Sequence, residues 1–246
     1  MRFRLTIEYD GTRYCGWQLQ AGDDTVQARV EAVLEILFSQ KIRIQAAGRT
    51  DAGVHALGQV AAFDPPRRFG RAELLRALNA MLPSDIAVRE VAQVSDDFDP
   101  RRAACARVYE YRIMNRELRS AFEHRYAWQI REPLDLAAME AAAGRFIGEH
   151  DFAAFRTLGT ETKTTIRRIY RSQWERRGDL LLYRVEGSSF LRRMVRSMVG
   201  AMVEVGRGRM TVDAAGALLA GGDRAQSPAA APACGLFLVE VRYPQL

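Results

Sequence analysis

Lysine is almost missing from this chain of 246 residues; Lys41 and Lys163 are the only two. Cysteine and histidine are scarce as well, three of each. Cys15, Cys105 and Cys234 are odd in number and far apart, with no Cys-x-x-Cys, which argues against a disulfide framework. A structural zinc needs four soft ligands at close spacing, and His55, His124 and His150 supply no such set, so no metal site is expected. A reducing, cytoplasmic compartment is the expectation. No apolar run approaches the ~18 residues that suggest a membrane span. The opening Met1-Arg2-Phe3-Arg4-Leu5-Thr6-Ile7-Glu8 places charges where a signal peptide carries its apolar core. Disorder is excluded by composition: 48% of the residues are hydrophobic, enough to build a buried core.

What is abundant is arginine. Lysine and arginine together number 36 against 30 acidic residues, a net charge of +6. The planar guanidinium fits phosphate and stacks on bases in ways an ammonium does not. Nucleotide bias in the coding sequence explains the choice of Arg over Lys equally well, since Ala and Gly are also common. The positive balance itself favours an acidic partner such as RNA.

Hydrophobic periodicity orders the first hundred residues. Phe3, Leu5, Ile7 and Tyr9 alternate as a strand does. Asp24-Thr25-Val26-Gln27 reads as a helix start with capping-box spacing, and Val26, Val30, Val33, Leu34 and Leu37 follow at helical intervals. Ile42 to Ala46 alternates again. Leu57 to Phe63 reads as a third strand, Leu74 to Met81 as a helix and Ile86 to Val94 as a further strand. The order β-α-β-β-α-β is ferredoxin-like.

The remainder repeats it loosely. Val108 to Met114 and Tyr126 to Ile130 read as strands and Leu134 to Ile147 as a helix. Ile166 to Trp174 and Leu180 to Val185 read as a hairpin. Phe190 to Val205 and Thr211 to Leu219 read as helices, and Leu236 to Tyr243 as a closing strand. Gly221 to Pro232, rich in Ala, Pro, Gly and Ser, reads as a surface loop.

The expected fold class is α+β. Two ferredoxin-like (RRM-like) halves, residues 1–100 and 101–246, carry mixed, mainly antiparallel sheets. These are expected to join into one extended sheet around a central cleft, the kind of junction where ligands bind.

One segment concentrates polar chemistry. Gly48-Arg49-Thr50-Asp51-Ala52-Gly53-Val54-His55 lies between two strands, with glycines that permit close approach to a ligand. A guanidinium near Asp51 would keep it ionised, and an oriented carboxylate serves as nucleophile or base. The same spacing also fits a turn whose Asp and Thr bond the local backbone.

That segment resembles the signature of the tRNA pseudouridine synthase A family. Glu8-Tyr9-Asp10-Gly11-Thr12-Arg13-Tyr14-Cys15-Gly16-Trp17-Gln18 is similar to the family's opening block. Leu82-Pro83-Ser84-Asp85-Ile86-Ala87-Val88 and Asp97-Phe98 are similar to its mid-chain landmarks. Arg107-Val108-Tyr109-Glu110-Tyr111 resembles its active-site tyrosine strand. Phe190-Leu191-Arg192-Arg193-Met194-Val195-Arg196 with Gly200 resembles its C-terminal helix motif, and Pro232-Ala233-Cys234-Gly235-Leu236-Phe237-Leu238 its closing strand. Phe237 departs from the Tyr more usual there.

The resemblance implies an isomerase that converts uridines 38, 39 and 40 of the tRNA anticodon stem-loop to pseudouridine. It implies base flipping, no metal, redox or nucleotide cofactor, and a homodimer. Asp51 is implied as the essential carboxylate; attack on C1′, attack on C6 and proton removal all stay open. The resemblance further implies Tyr109 against the flipped uracil, where a ring face stacks and excludes water. Arg196 is implied as the partner that holds Asp51 charged, although Arg192, Arg193 and Arg196 also fit a solvated helix face. Arg49 would support Asp51 or turn the nucleotide out, and Leu236 and Leu238 would floor the pocket. His55 reads as structural. Arg67-Arg68 with Arg71, Arg101-Arg102, Arg167-Arg168 and Arg192 are the candidates for gripping RNA phosphate.

Two other classes compete. A noncatalytic RNA-binding module would show exposed aromatics in its strand motifs, and none is evident. A glycoside hydrolase needs two facing carboxylates; Asp23-Asp24 and Asp96-Asp97 are adjacent pairs, and neighbours on a strand point apart.

Overall fold

A computed structural model describes residues 1–157, 162–220 and 227–244. The chain divides into two compact units, Met1–Cys105 with Phe237–Leu246, and Ala106–Leu236. Both mix strands and helices, as an α+β chain should. Among the described residues no helix is long and apolar enough to cross a membrane.

The first unit follows the β-α-β-β-α-β order. Its elements are β1 (Arg2–Tyr9), α1 (Val26–Phe38), β2 (Gln45–Ala46), β3 (His55–Phe63), α2 (Arg71–Met81) and β4 (Ile86–Val94). β1 is the central strand, antiparallel to both β3 and β4. Its alternation has the expected cause: Phe3, Leu5, Ile7 and Tyr9 are all buried. α1 buries Val26, Val30, Val33, Leu34 and Phe38 along one stripe. Its N-cap is Thr25, whose hydroxyl accepts from the Ala28 N–H. The Asp24–Gln27 box does not form, because the Gln27 Oε1 that would close it accepts from the Leu19 N–H at 3.1 Å instead. α2 buries Leu74 and Leu78.

The strand expected over 42–46 shortens to Gln45–Ala46. Ile42 and Ile44 are both buried, so their alternation marks a loop pinned inward. The Ile44 N–H donates 3.1 Å to Glu31 Oε1, a bond to a helix rather than to a ladder.

The second unit holds β5 (Ala106–Asn115), β6 (Trp128–Ile130), α3 (Leu136–Arg145), β7 (Gly148–Asp151), β8 (Ile166–Arg177), β9 (Leu180–Gly187), α4 (Met194–Gly206) and α5 (Val212–Ala217). β5, β9, β8 and β7 pair in that order, all antiparallel, and β6 adds to β5 in parallel. α3 packs on β8 and α4, and α4 on β5. Ser172 and Tyr183 bond at 2.7 Å between buried hydroxyls, and burial pushes the Tyr183 phenol far up. β10 (Leu236–Arg242) closes the chain; its Phe237 and Leu238 pair in parallel with His55 and Ala56 of β3.

Residues 221–226 of the expected surface loop lie outside the described residues. Residues 227–232 differ from that expectation. Ser227 and Ala231 are buried, and the strap packs on α4. The cause is Gly200, where a Cβ would stand 2.1 Å from the Ala229 carbonyl oxygen, so only glycine lets strap and helix meet.

Candidate active site

Asp51 sits between the ends of β2 and β3 in a loop held at several points. At its entrance the Ala47 N–H donates to the Val60 carbonyl, and Gln59 Nε2 donates 2.9 Å to the Gly48 carbonyl. Val54 N–H closes a turn onto the Asp51 carbonyl at 3.2 Å. The opening block Tyr9 to Trp17 wraps the loop from the other side. Trp17 N–H donates 3.1 Å to the Thr50 carbonyl, and Gly53 N–H donates 3.3 Å to the Tyr14 carbonyl. Gly16, at φ 91°, lies so close that a Cβ there would stand 2.6 Å from the Thr50 carbonyl oxygen. Beneath them the Tyr9 and Thr50 hydroxyls bond at 2.8 Å, both buried.

Against this fixed backbone Asp51 itself is only partly buried, and Arg49 and Ala52 beside it are exposed. The loop therefore holds a half-buried Asp51 on a backbone pinned at several points. That suits a group that must meet a substrate atom in one orientation.

His55 stands at the loop's end and is buried. Its Nδ1 accepts from the Gly11 N–H at 3.1 Å, and its ring stacks on Phe237 at 4.7 Å. Asp10 Oδ1 is also 3.1 Å from that nitrogen, but it already accepts the amide and hydroxyl of Thr12. These contacts give His55 a packing and backbone-satisfying role.

The opening block is tied in turn to Asp85. Tyr14 donates its hydroxyl to Asp85 Oδ1 at 2.5 Å, and Asp10 N–H donates to the Asp85 carbonyl at 2.9 Å. Burial and that carboxylate push the Tyr14 phenol well above its ordinary range. Tyr9, Tyr14, Gly16, Trp17 and Asp85 are thus part of the frame around Asp51. The sequence carries all five within the motif blocks, but nothing in their spacing assigns them a partner.

The second unit arranges its own candidates. Tyr109 on β5 is buried, its ring edge-to-face with Phe190 at 5.1 Å. Arg196 lies in the first turn of α4 and is partly exposed. Its Nε donates 2.7 Å to the Ala231 carbonyl, while Ala231 N–H donates 2.9 Å to the Arg196 carbonyl. The residue that opens this helix, Arg193, has φ 62°, a left-handed conformation uncommon outside glycine and often found at functional sites. Arg192 is exposed, and its carbonyl accepts from the Thr157 N–H.

Leu236 and Leu238 are buried on the closing strand. Among the arginines expected to grip RNA, Arg67, Arg68, Arg71, Arg101, Arg102 and Arg168 are exposed. Arg67, though exposed, is also engaged by the fold: it donates 3.0 Å to the Leu37 carbonyl and lies over the rings of Phe38 and Phe69 at 5.6 and 5.3 Å. Arg167 donates to the Thr164 and Ile166 carbonyls.

Comparison with known proteins adds a second line. A family model described as tRNA pseudouridine synthase matches residues 5–101 and 142–244. A protein of Geotalea daltonii named tRNA pseudouridine synthase A is 45% identical over 240 residues, covering 98% of each chain. Its namesake from Geobacter sulfurreducens is 45% identical over 240 residues, again 98% of both chains. One from Myxococcus xanthus is 43% identical over 243 residues, covering 98% of this chain and 92% of that one.

Proposed function

This chain belongs to the tRNA pseudouridine synthase family, an isomerase acting on tRNA uridine, and we propose that it modifies uridines 38, 39 and 40 of the anticodon stem-loop with Asp51 as its essential carboxylate. The observation that carries the assignment to Asp51 is the contrast at that position. The half-buried Asp51 stands in a loop whose backbone is held by Trp17, Tyr14 and Gln59 and whose Thr50 side chain is held by the Tyr9 hydroxyl.

The reaction is balanced within the nucleotide. The C1′–N1 bond breaks, the uracil turns, a C1′–C5 bond forms, C5 loses a proton and N1 gains one. No external reactant enters. The target nucleotide leaves its stack first, because its C1′ and C6 are hidden in a helix. Asp51 is the group whose loss stops the exchange. Tyr109 supplies an aromatic face for the uracil, and Arg196 the cation that pairs with Asp51 and keeps its carboxylate charged. Arg49, exposed beside Asp51, helps turn the nucleotide out. Leu236 and Leu238 supply apolar lining. The exposed pair Arg101-Arg102, together with Arg68 and Arg192, positions the RNA through phosphate. A cytoplasmic homodimer is the proposed working form, carried by the resemblance.

The test is Asp51→Asn and Asp51→Ala with in vitro transcribed tRNA. Both variants are expected to bind tRNA while pseudouridine, read by nucleoside mass spectrometry, disappears. Turnover that survives either change refutes the assignment. Mapping pseudouridine by chemical modification and primer extension tests the three positions, and modification confined to other sites refutes that part.

A further inference from the structure

The face that β1 turns to the core carries Phe3, Leu5, Ile7 and Tyr9, and only the last ends in a polar atom. A phenylalanine would fill the same volume without a hydroxyl to satisfy. The register of β1 against β3 slips by one residue between Ile7 and Tyr9, pairing Ile7 with Gln59 and Tyr9 with Ala56. Bulges of this kind re-aim side chains and are common beside active sites. Past the slip, the Tyr9 hydroxyl meets the Thr50 hydroxyl at 2.8 Å, and the Tyr9 ring lies 5.9 Å from that of Trp17.

Thr50 is consequently held twice. Its side chain is fixed by Tyr9, and its carbonyl, half of the peptide that joins it to Asp51, is fixed by the Trp17 N–H at 3.1 Å. Gly16 closes against that peptide where a Cβ would stand 2.6 Å from the carbonyl oxygen. With side chain and peptide plane both set, the position of the next Cα is set, and the Val54 N–H on that residue's carbonyl at 3.2 Å restrains the torsion that directs its Cβ. That next residue is Asp51.

We propose that Tyr9 is a positioning residue whose hydroxyl, acting through Thr50, aims the Asp51 carboxylate. The proposal rests on the reading of Asp51 as the reacting group. Tyr9 contributes to the chemical step and not to the capture of tRNA. The hydroxyl–hydroxyl bond carries the effect, so the two residues act as one unit.

The experiment compares Tyr9→Phe, Thr50→Val, Thr50→Ser and the double variant Tyr9→Phe/Thr50→Val with the native enzyme and with Asp51→Asn. Single-turnover pseudouridine formation, steady-state kcat and KM, and tRNA affinity are measured on the full chain. Misplacement of a reacting group by an ångström costs up to about 100-fold, so Tyr9→Phe and Thr50→Val are each expected to lower kcat about 10- to 100-fold. KM and tRNA affinity are expected to stay within about twofold. Thr50→Ser, which keeps the hydroxyl, is expected to hold kcat within about threefold of native. The double variant is expected to fall no further than the worse single one, the signature of a coupled pair. Native kcat in Tyr9→Phe overturns the proposal. So does a loss in Thr50→Ser as deep as in Thr50→Val, or a double variant whose losses multiply. Asp51→Asn separates the two readings: if it turns over, the Asp51 assignment fails; if it is dead while Tyr9→Phe is native, only the role of Tyr9 fails.

Discussion

Arg196 and Ala231 hold each other by two hydrogen bonds, the guanidinium Nε donating to the Ala231 carbonyl at 2.7 Å and the Ala231 N–H returning to the Arg196 carbonyl at 2.9 Å. A backbone strap thus satisfies one donor of the Arg196 guanidinium and restrains its direction. The strap stays in place because Tyr111, buried on β5, donates its hydroxyl 2.9 Å to the Pro232 carbonyl and Gly200 lets α4 approach it.

Gly200→Ala tests that arrangement. In an exposed helix interior the change would stabilise by up to about 1 kcal/mol. Here the added Cβ would fall 2.1 Å from the Ala229 oxygen, a backbone atom. Helix or strap must shift, at a cost of about 1–3 kcal/mol. The variant is expected to melt lower and to lose pseudouridine formation, since Arg196 loses its anchor. Denaturant midpoints and turnover measured together check it; a higher midpoint refutes the close-approach account.

Tyr109 is expected to act through its ring. Base–aromatic stacking contributes about 1–3 kcal/mol by substitution, so Tyr109→Leu is expected to lower turnover by roughly 10- to 100-fold. Tyr109→Phe keeps the ring and its edge-to-face contact with Phe190, and is expected to lose less. Equal losses in the two variants, read by nucleoside mass spectrometry, would assign the work to the hydroxyl.

The sequence makes the elements legible where one face is buried and the other is not. Phe3, Leu5, Ile7 and Tyr9 declare β1, and Val26 to Phe38 declare α1, because the alternation or stripe is the burial itself. Gly148–Asp151 escapes such a reading: β7 pairs with β8 but buries none of its four residues, so no alternation is written into it. Ile42 and Ile44 mislead for the opposite reason, being buried without a strand partner. The Asp51 loop is legible as a motif, since its glycines, arginine and carboxylate are contiguous. Its frame is not. Tyr9 and Thr50 are 41 residues apart, Tyr14 and Asp85 71 apart, and each pair meets only through tertiary packing. Arg67 shows the same limit, because its link to Leu37 and two phenyl rings does not register in a charge count.

Arginines that hold the fold and arginines that hold RNA separate by salt. Affinity for tRNA is expected to fall with salt at a slope of roughly −0.7 to −0.9 per phosphate neutralised. Arg101→Gln/Arg102→Gln is expected to make that slope shallower by about one to two units with the midpoint of unfolding nearly unchanged. Arg67→Gln is expected to do the reverse, keeping the slope and losing about 1–2 kcal/mol of stability with its carbonyl bond and ring contacts. Filter binding at graded salt beside thermal melts distinguishes them, and a tRNA affinity indifferent to salt would overturn electrostatic gripping altogether.

Asp99 governs part of the acid response. Its carboxylate accepts from the Arg102 and Arg101 N–H groups at 2.9 and 2.8 Å, and those bonds hold its pKa below the usual carboxylate value. A carboxyl with a depressed folded pKa stabilises above its unfolded pKa of about 4, and that contribution disappears as pH falls through the folded value. Asp99→Asn keeps an acceptor but no charge, so the native chain is expected to be more stable than the variant at pH 7. The side chain is 39% exposed, and solvent screening limits the difference to a few tenths up to about 1 kcal/mol. The two melting curves are expected to draw together as pH falls below about 4 and to meet below the folded pKa, where both side chains are neutral. A constant offset from pH 7 to pH 3 would show that the charge contributes nothing, and a gap that widens in acid would show that the carboxyl is held neutral in the fold.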